Sequence, residues 1–274
     1  MAGEALLIEA VSCLLRDVAA SAILPRFRRL AAGEVRSKSP GEEVTIADEE
    51  AERLLVAGLS ALLPGSSVVG EEAASRDAGL LSNIADGTVW LVDPLDGTTN
   101  FVAGDPTFAT MIALLRAGRC VASWMLSPAT DRLHVAELGS GAWVDGIRLH
   151  APTSYEWGRL RGAVLRRFLP AALGERIDAN AKGGAELLAG LRCAGEEYPA
   201  IARGDEDFAI FWRGLPWDHA PGILFLEEAG GRAAGFDGRP YRPAGHGEGI
   251  LAARTPDLWC ELAGRLLEAP RASQ

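Results

Sequence analysis

Cysteine, histidine and cationic side chains are all scarce in this chain of 274 residues. Cys13, Cys120, Cys193 and Cys260 lie far apart and make no C-x-x-C pair. That argues against disulfides or zinc and for a reduced, cytoplasmic protein. His134, His150, His219 and His246 are too scattered to form a metal cluster. Lysine and arginine number 27 against 37 acids, a formal charge of −10, so neither nucleic acid nor an anionic membrane is the expected partner. That argument weakens if some of the carboxylates hold metal. No run of about 18 uncharged apolar residues is present to span a membrane. The opening MAGEALLIEA carries acid where a secretory signal carries base. Internal repeats and low-complexity linkers are also missing.

What is present is apolar material, 48% of the chain, enough for one large domain or two lobes sharing a core. Residues 3–32 show apolar positions at helical spacing (Leu6, Leu7, Ala10, Leu14, Val18), with Pro25 as a kink or end. A polar stretch, Gly33 to Glu43, precedes a second helix near Asp48 to Leu63, and SSVVG reads as a short strand delivering Glu71 and Glu72. TFATMIALL, RCVASWML, RLHVAEL and GAWVDGIRL follow with short polar breaks, the signature of an antiparallel meander. Beyond them GAVLRRFL, DFAIFW and GILAAR read as strands. AELLAGLRC, EEYPAIARG, HAPGILFLEEAGG and PDLWCELAGRLLEA read as helices. A meander followed by alternating elements predicts two sheet-containing lobes, residues 1–150 and 151–274, with helices packed between and outside them.

The stretch WLVDPLDGTTNF, residues 90–101, carries the chemistry. Asp93 and Asp96 flank Pro94 and Leu95, and because Pro94 interrupts regular pairing the chain can turn both carboxylates to one point. Close carboxylates repel unless a cation separates them, and a hard divalent ion with oxygen ligands, Mg²⁺ above all, suits that task. Gly97, Thr98 and Thr99 supply backbone N–H groups for an anion beside it. The plain alternative is an Asp-rich surface turn capping a helix. Asp48 in TIADEEAE likewise reads as a solvated helix-start acid, and Asp218 at the head of HAPGILFLEEAGG as an N-cap. Their shared setting at strand ends and helix starts is where α/β proteins build sites.

Together GEE (70–72), DPLDGTTNF (93–101) and WDHAPGILFLEEAGG (217–231) resemble the inositol monophosphatase family of Mg²⁺-dependent, lithium-sensitive phosphatases. The resemblance implies an α/β (α+β) fold, a layered αβαβα sandwich of the inositol monophosphatase and fructose-1,6-bisphosphatase type, assembled as a homodimer. It implies that Glu71, Asp93 and the Leu95 carbonyl hold one Mg²⁺, and that Asp93, Asp96 and Asp218 hold a second. A third, weaker ion would lean on Glu71 through water. Gly97 and Thr98 would bind the phosphate of a small phosphomonoester, and Thr98 with Asp48 would orient and activate the attacking water. The catalytic set implied is thus Thr98, Asp48 and Glu71, with in-line attack and no phosphoenzyme.

The substrate side departs from the family pattern. Phe211 stands seven residues before Asp218, where close relatives that process inositol phosphates carry a hydroxyl-binding Glu. Glu196 and Glu197 stand where small residues line the pocket. Arg213 reads either as a contact for a second anion or a base, or as a solvated loop residue. Phe211 and Trp212 suit a flat leaving group such as a nucleoside. A nucleotide bisphosphate, a sugar bisphosphate or histidinol phosphate are the alternative substrates, and a non-enzymatic regulatory homologue is the alternative role. An aspartyl-nucleophile phosphatase is disfavoured, because two residues separate Asp93 from Asp96 where that class has one. His219 is expected at the surface of a helix start. Glu42 and Glu43 are expected as a solvated loop pair, with Lys38 in the same loop able to approach the third ion's water shell.

Overall fold

The computed structural model describes residues 2–39, 42–245 and 247–267. His246 and the last two residues expected in the closing helix, 268 and 269, lie outside these, as does the side chain of Leu6. Helix α1 (Ala2–Val18) widens into one π turn (Ala19–Ile23) and stops ahead of Pro25, earlier than the 3–32 expectation. The expected polar loop instead forms a hairpin, β1 (Val35–Ser39) and β2 (Glu42–Thr45). Then come α2 (Ile46–Leu62), β3 (Ser67–Gly70), α3 (Glu71–Arg76), β4 (Thr88–Asp96) and the short α4 (Thr98–Val102). The meander follows as β5 (Ala109–Arg116), β6 (Arg119–Ser127), β7 (Arg132–Glu137), β8 (Gly141–Val144) and β9 (Ile147–Leu149).

Strands β3 to β9 form a seven-stranded sheet in sequence order, antiparallel except for the parallel β3–β4 pair. The second half supplies β10 (Leu160–Val164), α5 (Ala171–Ala181), β11 (Ala185–Leu188), α6 (Ala194–Arg203), β12 (Phe208–Phe211), α7 (Pro216–Glu228), β13 (Arg232–Gly235), β14 (Ile250–Ala253) and α8 (Pro256–Leu262). Its sheet has the order β11-β10-β12-β14-β13, with β10 parallel to both of its neighbours. AELLAGLRC, expected as a helix, therefore contains edge strand β11. Helix α5 was not anticipated, because its buried stripe is only Leu173, Ile177 and Ala181, with Gly174 beside it. Strand β13 also went unread, since RAAG has little β-forming character.

The layers follow from which residues face which way. On β4, Trp90 and Val92 pack with Leu15, Leu55 and Leu59 of α1 and α2, while Val89 and Leu91 pack against Trp217 and Ala220 of α7. Both faces of the central strands are therefore covered, which is why they read as unbroken apolar runs. Helices α6 and α7 lie between the two sheets, and Tyr198, Ile223 and Phe225 share a core with Met111, Met125, Ala163 and Ala252. Ten of the thirteen residues of α7 are buried, as expected of a helix that is apolar on all sides. Leu173, Ile177, Leu258 and Leu262 of α5 and α8 cover the outer face of the second sheet, completing a layered αβαβα sandwich.

His134 on β7 shows what this interior does to a titratable group. It is fully buried against the Phe225 ring at 5.4 Å, and Arg203 Nη1 stands 3.4 Å from its Nε2. Burial first and the Arg203 charge second push its pKa down from 6.5 to about 4. The folded chain therefore refuses a proton that the unfolded chain accepts below 6.5. His134 contributes its full stability above that pH and loses it as pH falls toward 4. The loss reaches about 2 kcal/mol by pH 5. Urea titrations at pH 7.5 and pH 5 should show wild type losing about that much more stability than His134→Gln. Equal losses would mean that the imidazole is protonated inside the fold.

Candidate active site

β4 does not end at Pro94. Asp93 pairs with Met111 and Asp96 with Ala109, so three steps on β4 match two on β5. This is a β-bulge, and the extra residue corrects parity. Two residues three apart, which a regular strand would place on opposite faces, emerge on the same one. Pro94 has no N–H to lose at the bulge, and its carbonyl accepts from Thr110 Oγ1 at 3.0 Å. Gly97 follows at φ +83°, and a Cβ there would lie 2.9 Å from the Thr107 carbonyl oxygen and 3.2 Å from Cys193 Cβ. Only glycine turns the chain here into α4, whose first residue is Thr98.

The other acids each arrive on an element of their own. Glu71 opens α3 directly after β3. Asp218 sits in the first turn of α7, whose N-cap is Leu215, so its expected capping role is not the one it has. Asp48 is not solvated but buried. Its Oδ2 accepts from Thr45 N at 2.8 Å and Thr45 Oγ1 at 2.6 Å, closing a capping box, and its Oδ1 accepts from Thr98 Oγ1 at 3.0 Å. Glu71, Asp93, Leu95, Asp96, Gly97, Thr98 and Asp218 all line one cavity of about 750 Å³, with Asp48 behind Thr98. Asp93 Oδ1 accepts from Leu95 N at 3.0 Å, and Asp96 Oδ2 accepts from Gly195 N at 2.7 Å.

The cluster is electrostatically loaded. Burial, then Glu71, Asp96 and Asp218, hold the Asp93 carboxyl well above the usual range. Burial, then Asp96 and Glu71, do the same to Asp218. Burial lifts Asp96 and Asp48 to about 6 each. The Lys38 ammonium, 3.0 Å from Glu71 Oε1 and bonded also to Glu72, offsets part of this charge. No three His, Cys, Asp or Glu side chains among the described residues stand as a ready cation cage. The donors clustered beside Gly97 and Thr98 are oxygens, those of Glu71, Asp93, Asp96 and Asp218 and the Leu95 carbonyl, and a hard divalent ion is the partner this chemistry fits.

The opposite wall differs from what was expected. Phe211 reaches the cavity but is mostly core, stacked on Tyr198 at 5.2 Å and 17°. His219 is buried rather than at the surface. Its Nε2 donates to the Arg213 carbonyl at 2.8 Å, which leaves Nδ1 to accept from Tyr198 Oη at 2.9 Å. Glu196 does not line the cavity; its neighbour Glu197 does. Glu197 Oε2 accepts from Leu191 N at 2.7 Å, and burial, then Glu206, push its pKa up to about 9. Arg213 is not a solvated loop residue. It pairs with Glu42 and lies 3.8 Å over the Phe168 ring. Glu42 and Glu43 line the cavity instead of extending into solvent. Arg166, Arg167, Phe168 and Arg192 also face it, and the run LRRFLP was the unused signal for three of them.

The family model described as the inositol monophosphatase family matches residues 7–271. An inositol-1-monophosphatase of Mesorhizobium japonicum is 36% identical over 216 residues, 75% of this chain and 76% of that one. The Nus factor SuhB of Pseudomonas aeruginosa is 34% identical over 248 residues, 85% and 86% of the two chains. The solved SuhB protein of Bartonella henselae superposes with a TM-score of 0.83 at 24% identity, covering 96% of this chain and 99% of that one, a likeness of fold. The chain belongs to the inositol monophosphatase family.

Neutralising one acid tests the cluster. Asp93→Asn should fold, melt a few degrees above wild type in metal-free buffer because it relieves repulsion, and hydrolyse no phosphomonoester. Added Mg²⁺ should raise the wild-type melting temperature and leave the variant unmoved. Retained turnover in the variant would remove Asp93 from the site.

Proposed function

We propose that this family member is a working phosphoric monoester hydrolase that uses Mg²⁺, two to three ions per site, to cleave a small inositol-phosphate-like phosphomonoester. The observation that carries the reading is the meeting of Glu71, Asp93, Asp96 and Asp218 beside Gly97 and Thr98 in one cavity. Glu71, Asp93 and the Leu95 carbonyl would hold one ion, and Asp93, Asp96 and Asp218 another. A third would lean on Glu71. When bound, the ions lower the pKa of a water and screen the phosphoryl charge. The chain does the rest. The Gly97 and Thr98 N–H groups hold the phosphate where α4 begins. The Thr98 hydroxyl, bonded to Asp48, aligns the attacking water and relays its proton to that carboxylate. In this reading residues 1–150 carry most of the ligands, while residues 151–274 add Asp218 and the substrate wall. The family resemblance adds lithium sensitivity, a homodimer and a cytoplasmic location. None of the helices among the described residues is long and apolar enough to cross a membrane.

A second reading of the substrate comes from the far wall. Phe168, Phe211 and Trp212, with Arg166, Arg192 and Arg213, suit a flat leaving group that carries another anion better than they suit a polyol. Nucleotide and sugar bisphosphates share that charge pattern, and histidinol phosphate shares the flat ring. A regulatory role without catalysis is the remaining alternative, supported by a relative named as a Nus factor.

Phosphate release with Mg²⁺, with and without lithium, should separate these readings. The panel is inositol 1-phosphate, fructose 1,6-bisphosphate, histidinol phosphate and adenosine 3′,5′-bisphosphate. Turnover inhibited by lithium is expected, and Glu71→Gln should lower the rate and raise the Mg²⁺ needed for half-maximal activity about tenfold. If a bisphosphate is preferred, Arg213→Ala should raise its KM and leave that of inositol 1-phosphate unchanged. Silence across the panel would favour the regulatory role.

A further inference from the structure

Glu71 is the first residue of α3, and the N-cap before it is Gly70, which has no side chain to receive the helix's opening N–H groups. The acceptor comes from another helix. Glu52 of α2 takes Glu72 N on Oε2 at 2.7 Å and Ala73 N on Oε1 at 2.9 Å. Glu52 is 5% exposed, so water does not compete for those bonds. A Cβ on Gly70 would lie 2.2 Å from Glu52 Oε2 and 2.4 Å from Cδ. The glycine of the GEE run is thus the opening through which this carboxylate reaches α3. Glu52 also lies one turn beyond Asp48 on the same face of α2, and Asp48 holds the Thr98 hydroxyl at 3.0 Å. One helix face grips both the start of α3 and the threonine beside the phosphate loop.

We propose that Glu52 is a positioning residue for Glu71, a role that rests on the reading of Glu71 as a metal ligand. Glu52 does not line the cavity, and its other partner is Arg76 at 3.9 Å. It fixes where α3 starts, and so where the Glu71 carboxylate stands relative to Asp93 and Thr98. Without its two bonds the first turn of α3 is free to shift, and Lys38, 3.0 Å from Glu71 Oε1, is the competing partner that would draw the carboxylate away. Gly70→Ala should act through the same contact, by displacing Glu52.

The test is calorimetric titration with Mg²⁺ together with hydrogen exchange at the Glu72 and Ala73 amides. The proteins are wild type, Glu52→Ala, Glu52→Gln and Gly70→Ala. Ser66→Ala serves as a control, because it removes the acceptor of Trp90 Nε1 at 3.0 Å without touching α3. Glu52→Ala should weaken Mg²⁺ binding about tenfold and speed exchange at both amides by at least as much. Gly70→Ala should follow it, and Ser66→Ala should bind Mg²⁺ as wild type does. Wild-type Mg²⁺ affinity in Glu52→Ala, or an equal loss in Ser66→Ala, overturns the proposal. Should Glu52→Ala fail to fold, Glu52→Gln decides. It keeps the shape and one acceptor, so an intermediate affinity is expected, and wild-type affinity overturns. If wild type itself binds no Mg²⁺ while exchange at Glu72 and Ala73 still depends on Glu52, the metal reading has failed and this role falls with it.

Discussion

Backbone N–H groups hold several of the acids of this fold where water would otherwise hold them. Asp48 accepts from Thr45, Glu52 from Glu72 and Ala73, Asp93 from Leu95, and Asp96 from Gly195 at the start of α6. A buried carboxylate without such bonds costs several kcal/mol, and neighbouring ones cost more. These N–H groups, most of them at helix starts, satisfy the acids without neutralising them. Arginines in their place would also satisfy the acids, but they would fill the cavity and cancel the charge that a divalent ion needs. Lys38 is the cation closest to Glu71. It reaches Glu71 from β1 on a flexible stem and leaves the Asp93, Asp96 and Asp218 side open.

The architecture follows from where those helix starts must lie. Asp96 can cap α6 only if α6 lies between the two sheets, which is where the apolar surfaces of α6 and α7 also drive it. The bulge at Pro94 turns Asp93 and Asp96 to the side on which α6 begins. Without the extra residue one of them would face α2 and the core beneath Trp90. Packing and polar satisfaction demand the same layer order, a consistency expected of a chain that folds to one structure.

The turn that carries Asp93 and Asp96 was legible because its instructions are local. Pro94 and Gly97 each do one backbone job within a few residues of the acids they serve, and a single strand–turn–helix read in isolation contains them. The meander was legible because short polar turns leave few topologies. Less could be read where an element answers to a distant neighbour. The segment AELL is a strand only because β10 offers it a free edge, although its leucines fit a helix equally well. The 33–43 stretch is mostly polar, yet its described residues supply β1 and the start of β2, which pair over the site, with Lys38 on Glu71 and Glu42 on Arg213. His219 reads as a surface residue in sequence because helix starts usually are exposed. Only the second sheet and Tyr198, packed around it, make it a core side chain.

The same distinction explains why the substrate wall differs from the motif wall. Phe211 and Arg213, Phe168, and Glu197 come from three separate segments, and each is held by a partner that no motif specifies: Tyr198 for Phe211, Glu42 for Arg213, Arg213 for Phe168 and Leu191 for Glu197. Phe211 cannot change alone, because its ring is stacked on Tyr198, which in turn fixes His219, and His219 bonds the Arg213 carbonyl. A glutamate at 211 would place a charge among these rings. Phe211, the aromatic stack and the position of Arg213 are therefore one connected unit. The bonds that hold Asp48 and Asp93, from Thr45 and Leu95, involve none of these residues.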